Sequence, residues 1–366
     1  MQEELYYYWL DNVPGIGRLT ARRLLELTTP RQLFREGAKR EGLPLTQKQL
    51  QLLEEHRRRW NLEKEWQDLQ RKGIHFFCIS SSNYPPKLKK IPDPPIVLYQ
   101  KGKAEYMNRP AVAIVGARDC SAYGGLAAKE LGRELAAQGI VVISGMARGI
   151  DSISQWAALK QGGGSVGVLG SGVEVCYPKE NRPLYEHLQT EGCLLSENPP
   201  YTRPHAGLFP LRNRLISGLA DALVVIEAKE KSGTFITVDM ALEQGKEVYA
   251  MPGRITDTLS RGCNSLIKQG AAILLSPKEF AADMARLFWG KENRAKAEDL
   301  PFLTPQENVL YGLLEPLPLS VEDIWQKGKK ENPGLTLSQV MEGLLMLVMK
   351  GRARTHEQYF YRIQFI

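Results

Sequence analysis

Phe209-Pro210-Leu211-Arg212-Asn213-Arg214 sets two guanidiniums on either side of an amide, directly after a proline. Proline fits the first turn of a helix, where unpaired backbone N–H groups gather and attract anions. Two arginines there suit a site for more than one phosphate, since each offers a planar fork of donors. The same residues also fit arginines solvating an ordinary helix start. Other loops carry related chemistry: Gly116-Ala117-Arg118, Ser144-Gly145-Met146-Ala147-Arg148-Gly149, Gly170-Ser171-Gly172, Tyr177-Pro178-Lys179-Glu180-Asn181 and Ser232-Gly233-Thr234. Between them they supply small residues for close backbone approach, hydroxyls and cations. Gathered on one sheet edge, they would make an anion-lined groove.

The elements needed to gather them can be read from the hydrophobic pattern. Short apolar runs at 111–115, 140–143, 165–169, 193–195, 222–226, 248–250 and 271–275 alternate with helical stretches such as 122–137. That alternation predicts an α/β fold with a parallel, doubly wound sheet covered on both faces. In such a sheet, ligands bind beyond the carboxyl ends of the strands, which is where the loops above fall.

Residues 1–82 read as an N-terminal helical domain with charged faces. Val13-Pro14-Gly15-Ile16-Gly17 resembles a helix-hairpin-helix turn, whose glycines let N–H groups approach a phosphate; a plain turn in a small bundle fits equally. The proline-rich stretch 84–101 reads as an extended connector. Residues 83–289 form the sheet domain, 290–303 a polar linker, and 304–366 a compact unit of three helices and a terminal hairpin resembling a winged helix.

The net charge of +7 leans towards polyanionic partners. Five scattered cysteines with no CxxC pair argue against a zinc site or a disulfide framework and favour a reducing cytoplasm. No signal peptide is expected from MQEELYYYWL, and no run approaches 18 apolar residues, so no membrane span is expected. A dinucleotide dehydrogenase fails on detail: no GxGxxG follows the first strand, and the second ends in Ser144-Gly145 rather than an acidic ribose ligand. GxSxG and metal-ligand histidine spacing are also absent. Asp151 reads as a helix cap, and Glu227 as a residue orienting nearby loop arginines. No catalytic residue and no cofactor are assigned.

AIVGAR (113–118), SGMARGID (144–151), VLGSGVEVCYPKEN (168–181), LLSENPP (194–200), FPLRNRLISGL (209–219), VVIEAKEKSGTFIT (224–237), ALEQGKEVYAMPG (241–253) and GCNSLIKQGA (262–271) follow one another in order. Together they resemble the successive signatures of the DNA-processing protein A family, also called DprA or Smf. NYPPKLKKIPDPPIVLYQKG (83–102) resembles the approach to that family's central domain. The resemblance implies a Rossmann-like domain flanked by an N-terminal helical, SAM-like domain and a C-terminal winged-helix-like domain. It implies a cytoplasmic homodimer that binds and protects incoming single-stranded DNA in natural transformation and loads the recombinase RecA onto it. Arg118 and Lys179 match basic residues associated with DNA binding in the family. Arg148, Arg212 and Arg214 sit in the same motifs, with Ser144, Gly145, Ser171 and Asn213 as phosphate-facing neighbours. Tyr123 and Tyr177 are candidates for stacking on bases, or for packing at the loop base. One departure is plain: Gln155 stands where the family usually has a histidine, four residues after the aspartate of GID.

A second function class is a nucleotide-cleaving enzyme resembling LOG-type phosphoribohydrolases, with Lys231-Ser232-Gly233-Thr234 as the phosphate loop and Glu243 on the helix. The missing second glycine and the paired arginines of RNR argue against it. In the tail, the mostly apolar helix 337–350, with Lys350, Arg352 and Arg354 only at and beyond its end, favours an interaction module or a core helix over DNA-groove reading.

Overall fold

The computed structural model describes residues 2–298, 304–314, 319–350, 353–356 and 359–362. The chain forms two compact units, Met1–Ala282 and Asp283–Ile366.

The first unit opens with helices Gln2–Asp11, Arg18–Leu27, Pro30–Glu36, Gln47–Arg59 and Leu62–Arg71. Thr29 and Thr46 start two of them with reciprocal capping by Gln32 and Gln49, which satisfies N–H groups the helix cannot. Trp9, Leu10, Val13, Ile16, Leu24, Leu33 and Leu53 form their shared core. The turn at Val13–Gly17 joins the first two helices, with Gly15 at φ +79° and its carbonyl accepting from Gln49 Nε2 at 3.0 Å. Arg18 and Arg22, just beyond that turn, both pair with Asp93 of the proline-rich connector.

Nine strands then make one sheet. They are β1 (His75–Cys78), β2 (Val97–Gly102), β3 (Ala111–Gly116), β4 (Val141–Ser144), β5 (Ser165–Val168), β6 (Cys193–Ser196), β7 (Ala222–Ile226), β8 (Glu247–Ala250) and β9 (Ala272–Ile273). Their order is β1-β2-β6-β5-β4-β3-β7-β8-β9, parallel from β6 to β9. The parallel part is the doubly wound sheet expected. β1 and β2 were not expected, and both pair antiparallel: Cys78 lies opposite Val97, and Tyr99 opposite Ser196. The connector read as merely extended thus runs into an interior strand of the enlarged sheet, one in from its edge. The sheet also draws in residues 75–78 from the stretch read as all-helical.

From β3 the chain winds one way to β6, then crosses back to place β7 on the other side of β3. That reversal leaves a crevice at the carboxyl ends of β3 and β7. β3, β4, β5 and β7 are wholly apolar or small and almost fully buried, as strands covered on both faces must be. Helices Ala122–Ala137 and Ile150–Lys160 pack together, as do Leu208–Leu219 and Thr234–Glu243.

Helix Pro277–Glu298 occupies most of the stretch expected to be a linker; residues 299–303 lie outside the described residues. The second unit has helices Pro305–Leu313, Val321–Glu331 and Leu337–Met349, with β10 (Leu319–Ser320), β11 (Ala353–His356) and β12 (Tyr359–Arg362) in the antiparallel order β10-β12-β11. Leu310, Ile324, Val340, Leu344, Leu347 and Phe360 form its core. Lys350 pairs with Glu307 at 2.6 Å, while Arg352 and residues 363–366 lie outside the described residues. No helix among the described residues is long and apolar enough to cross a membrane.

Candidate functional site

A cleft of about 1010 Å³ occupies the crevice between the ends of β3 and β7. Its walls hold four cations, Arg118, Arg212, Lys229 and Lys231, against the carboxylates of Asp119 and Asp151. Tyr177, Phe209 and His205 line it as well. Tyr177 stacks on Phe209 with ring centroids 5.3 Å apart and planes 27° from parallel, yet remains 44% exposed, so an aromatic face is offered at the mouth.

The predicted site residues divide into three groups. Arg118, Arg212 and Asn213 line the cleft. Arg148 and Lys179 are exposed beside it, next in sequence to Ala147 and two residues after Tyr177, both lining residues. Ser144, Gly145, Ser171 and Arg214 do not line it. The Ser144 hydroxyl donates to Ile114 O at 2.6 Å and that of Ser171 to Val175 O at 2.9 Å, both within the core. These serines brace the loops from behind, because a buried hydroxyl must find a partner where it lies.

Arg212 is buried and acts as the floor. It donates to Gly145 O at 2.8 Å and to Val168 O, tying the ends of β4 and β5 together. Burial pushes its guanidinium down to about 10; the charge of Asp151 opposes that and the charge of Arg118 adds to it. Asp151, expected as a cap, instead lies inside the first turn of its helix, with Gly149 at the N-cap. Its carboxylate accepts from Gly145 N at 3.1 Å and Ala147 N at 3.4 Å. Burial raises its pKa, against the pull of Arg212.

Arg214 points the other way. It donates to Glu197 through two nitrogens, at 2.9 and 2.5 Å, and to Asp93 at 3.1 Å. Arg212 and Arg214 therefore share a helix but not a face. Glu227, expected to orient arginines, instead accepts from the backbone and hydroxyl of Ser121, fixing the end of the loop that carries Arg118.

The loop bearing Arg148 is fully tied down. Met146, at φ +56° and wholly buried, donates its N–H to Gln155 Oε1 at 3.1 Å. Its carbonyl and that of Ala147 both accept from Asn181 Nδ2, at 2.9 and 3.1 Å, which binds the Arg148 loop to the turn carrying Lys179. Gly149, at φ +71°, lets this loop meet the first: a Cβ there would overlap the carbonyl oxygens of Ala117 and Arg118. Gln155 also donates to Ser165 Oγ and Val166 O, at 3.1 and 3.2 Å. The glutamine in the family's histidine position thus links the start of β5 to the loop after β4. Gln155→Ala should cost about 2 kcal/mol, since it strands the buried Met146 N–H. A urea midpoint within error of the parent protein would refute that role.

Sequence reading missed Lys229 and His205 as lining residues, and it gave Lys231 only as part of the phosphate loop of the LOG-type alternative. The signal was available for the two lysines, which follow the strand on the far side of the switch point and precede Ser232-Gly233-Thr234. Tyr123 is 52% exposed but donates its hydroxyl to Pro252 O at 3.1 Å, and it does not line the cleft. Glu243 is exposed at the far end of its helix and does not line the cleft, so the carboxylate expected of a LOG-type base stands away from the phosphate loop.

A doubly wound sheet whose switch point opens into a cationic, aromatic-edged cleft defines a Rossmann-like domain with an anion-lined groove. The family model for DNA recombination-mediator protein A matches residues 75–285, beginning at β1. The chain belongs to that family. It is 42% identical over 213 residues to the DNA processing protein DprA of Bacillus subtilis strain 168, covering 58% of this chain and 72% of that one. The X-ray structure of DNA processing protein A from Streptococcus pneumoniae superposes with a TM-score of 0.66 at 33% identity, covering 76% of this chain and 97% of that one. The Helicobacter pylori DNA processing protein A, whose structure was described for its single-stranded DNA binding mode, gives 0.54 at 28% identity, covering 58% and 97%.

Proposed function

We propose that this protein binds single-stranded DNA in the switch-point cleft, protects it, and hands it to RecA in transformation and recombination. The observation that carries the reading is the cleft itself: Arg118, Lys229 and Lys231 converge on it while Tyr177 and Phe209 present aromatic surface. Backbone phosphates are met by cations and bases by rings, a pairing suited to a strand read without sequence preference. Arg148 and Lys179 extend the positive rim. Of the nine residues expected to contact DNA, Arg118, Lys179, Arg148 and Asn213 are retained as contacts. Arg212, Arg214, Ser144, Gly145 and Ser171 are reassigned as the frame behind them. Membership of a DNA-processing family supports the choice of ligand, as does the single-stranded DNA binding of the Helicobacter pylori relative.

The protein acts without cofactor and in the cytoplasm, as a homodimer. Exposed Leu242, Ile273 and Leu275, towards the β9 edge of the sheet, favour a self-association surface in the later half of this domain. The test is binding of labelled oligo-dT against a duplex of equal length across a salt series. Affinity should favour the single strand and fall with a log–log slope of about −0.7 per phosphate neutralised. Equal or stronger duplex binding would remove the reading.

A further inference from the structure

The segment between β6 and helix Leu208–Leu219 makes a turn at Pro199–Thr202, closed by Thr202 N on Pro199 O, and then runs without helix or strand to His205 in the cleft wall. Exposure alternates along it: Tyr201, Arg203 and His205 are exposed, while Thr202 and Pro204 are half-buried. A ring, a guanidinium and an imidazole are thus the exposed side chains of one short segment that leads into the cleft. His205 is the inner end, since it lines the cleft. Tyr201 is the outer end, 58% exposed, with Lys72 Nζ 4.9 Å from its ring centroid.

The segment is held in place from beneath. Thr202 O accepts from Gly172 N at 3.0 Å, Thr202 N donates to Pro199 O at 2.9 Å, and Glu174 N donates to Pro200 O at 2.9 Å. A Cβ on Gly172 would overlap the carbonyl oxygens of Pro199 and Pro200, so the segment is pressed directly onto the Gly170–Gly172 loop. A preformed segment of this kind loses little freedom when a flexible strand settles on it.

We propose that Tyr201, Arg203 and His205, with Lys72 behind the ring, form a second track for single-stranded nucleic acid, continuous with the cleft. This rests on the cleft being the primary DNA site. Tyr201 supplies a stacking platform for a base, Arg203 meets a phosphate beside it, and Lys72 holds the ring from its other face.

The test compares an oligo-dT of about six nucleotides, which the cleft alone accommodates, with one of about fifteen. The longer should bind the parent protein at least tenfold more tightly at 0.1 M salt, from one added stack and one added phosphate contact. Tyr201→Ala with Arg203→Ala should abolish that gain and leave the short oligo's affinity and the melting temperature unchanged. Tyr201→Phe, which keeps the ring, should keep the gain. A double variant that retains the length-dependent gain overturns the track. Failure of the cleft reads differently: short-oligo binding would then ignore Arg118→Ala with Lys179→Ala, and the proposal would fall with it.

Discussion

Replacing Arg118 and Lys179 together by alanine should weaken single-stranded DNA binding roughly 25-fold at 0.1 M salt and scarcely at all near 1 M. Each phosphate contact on a single strand contributes about 0.7 to the log–log salt slope, so losing two flattens it by about 1.4. Both side chains are exposed, and neither has a hydrogen-bond or ion-pair partner among the described residues. Nothing in the fold depends on them, and the unfolding midpoint should stay where it is. A loss of affinity that is the same at every salt concentration would mean that these residues act through shape rather than charge. Arg212→Ala should behave in the opposite manner: it empties the floor, frees Gly145 O and Val168 O, and harms stability first.

Glu197→Ala should destabilise the first unit by on the order of 3 kcal/mol, read as a lower urea midpoint at unchanged slope. The Arg214 and Glu197 side chains are only 7% and 9% exposed, and they face each other across two hydrogen bonds. Removing the carboxylate leaves a guanidinium out of water with Asp93 as its remaining charged partner beside the Leu211 carbonyl, and Asp93 is already shared with Arg18 and Arg22. Asp93 joins the N-terminal helices to helix Leu208–Leu219, so strain at this junction passes to both. Glu197→Gln, which keeps the shape and an acceptor, should recover part of the loss. An alanine variant as stable as the parent would show that the pair contributes nothing net.

The sequence was most legible where one pattern had one meaning. Helix Ala122–Ala137, expected at about those residues, and strand Ala222–Ile226 match their expected positions, because an unbroken apolar run or a long amphipathic run bounded by polar residues has few alternatives. β2 escaped because Pro94 and Pro95 stand directly before it and the run reads as a connector; only a partner strand, unknown from sequence, makes it sheet. In the site, residue types were informative and directions were not. Helical geometry alone separates Arg212 from Arg214 by about 200° around the axis, enough to deny them a common ligand. Which of the two faces the cleft required the position of β4 and β5. Gly145 and Ser144 were legible as a tight strand end, but their polar groups turn inward towards Asp151 and Ile114, contacts that the one-dimensional order hides. Lys229 is not singled out in the sequence, and Lys231 only as part of a LOG-type phosphate loop, because only the strand order, with β7 beside β3, brings them opposite Arg118.

The insertion of β2 beside β6 bears on the order in which the chain can assemble. β1 and β2 are synthesised before any parallel strand, yet the edge of β2 finds its mate only when Cys193–Ser196 emerges, some ninety residues later. Until then a two-stranded ribbon carrying Phe76, Phe77, Leu98 and Tyr99 waits with one side unpaired, too small to hold itself together in water. Closure of so long a loop is slow and must precede the contacts that reward it. The helices at the start of the chain pack Tyr8, Trp60 and Trp66 against Phe76 and Tyr99, so the aromatic face of that ribbon has its cover from segments made before it.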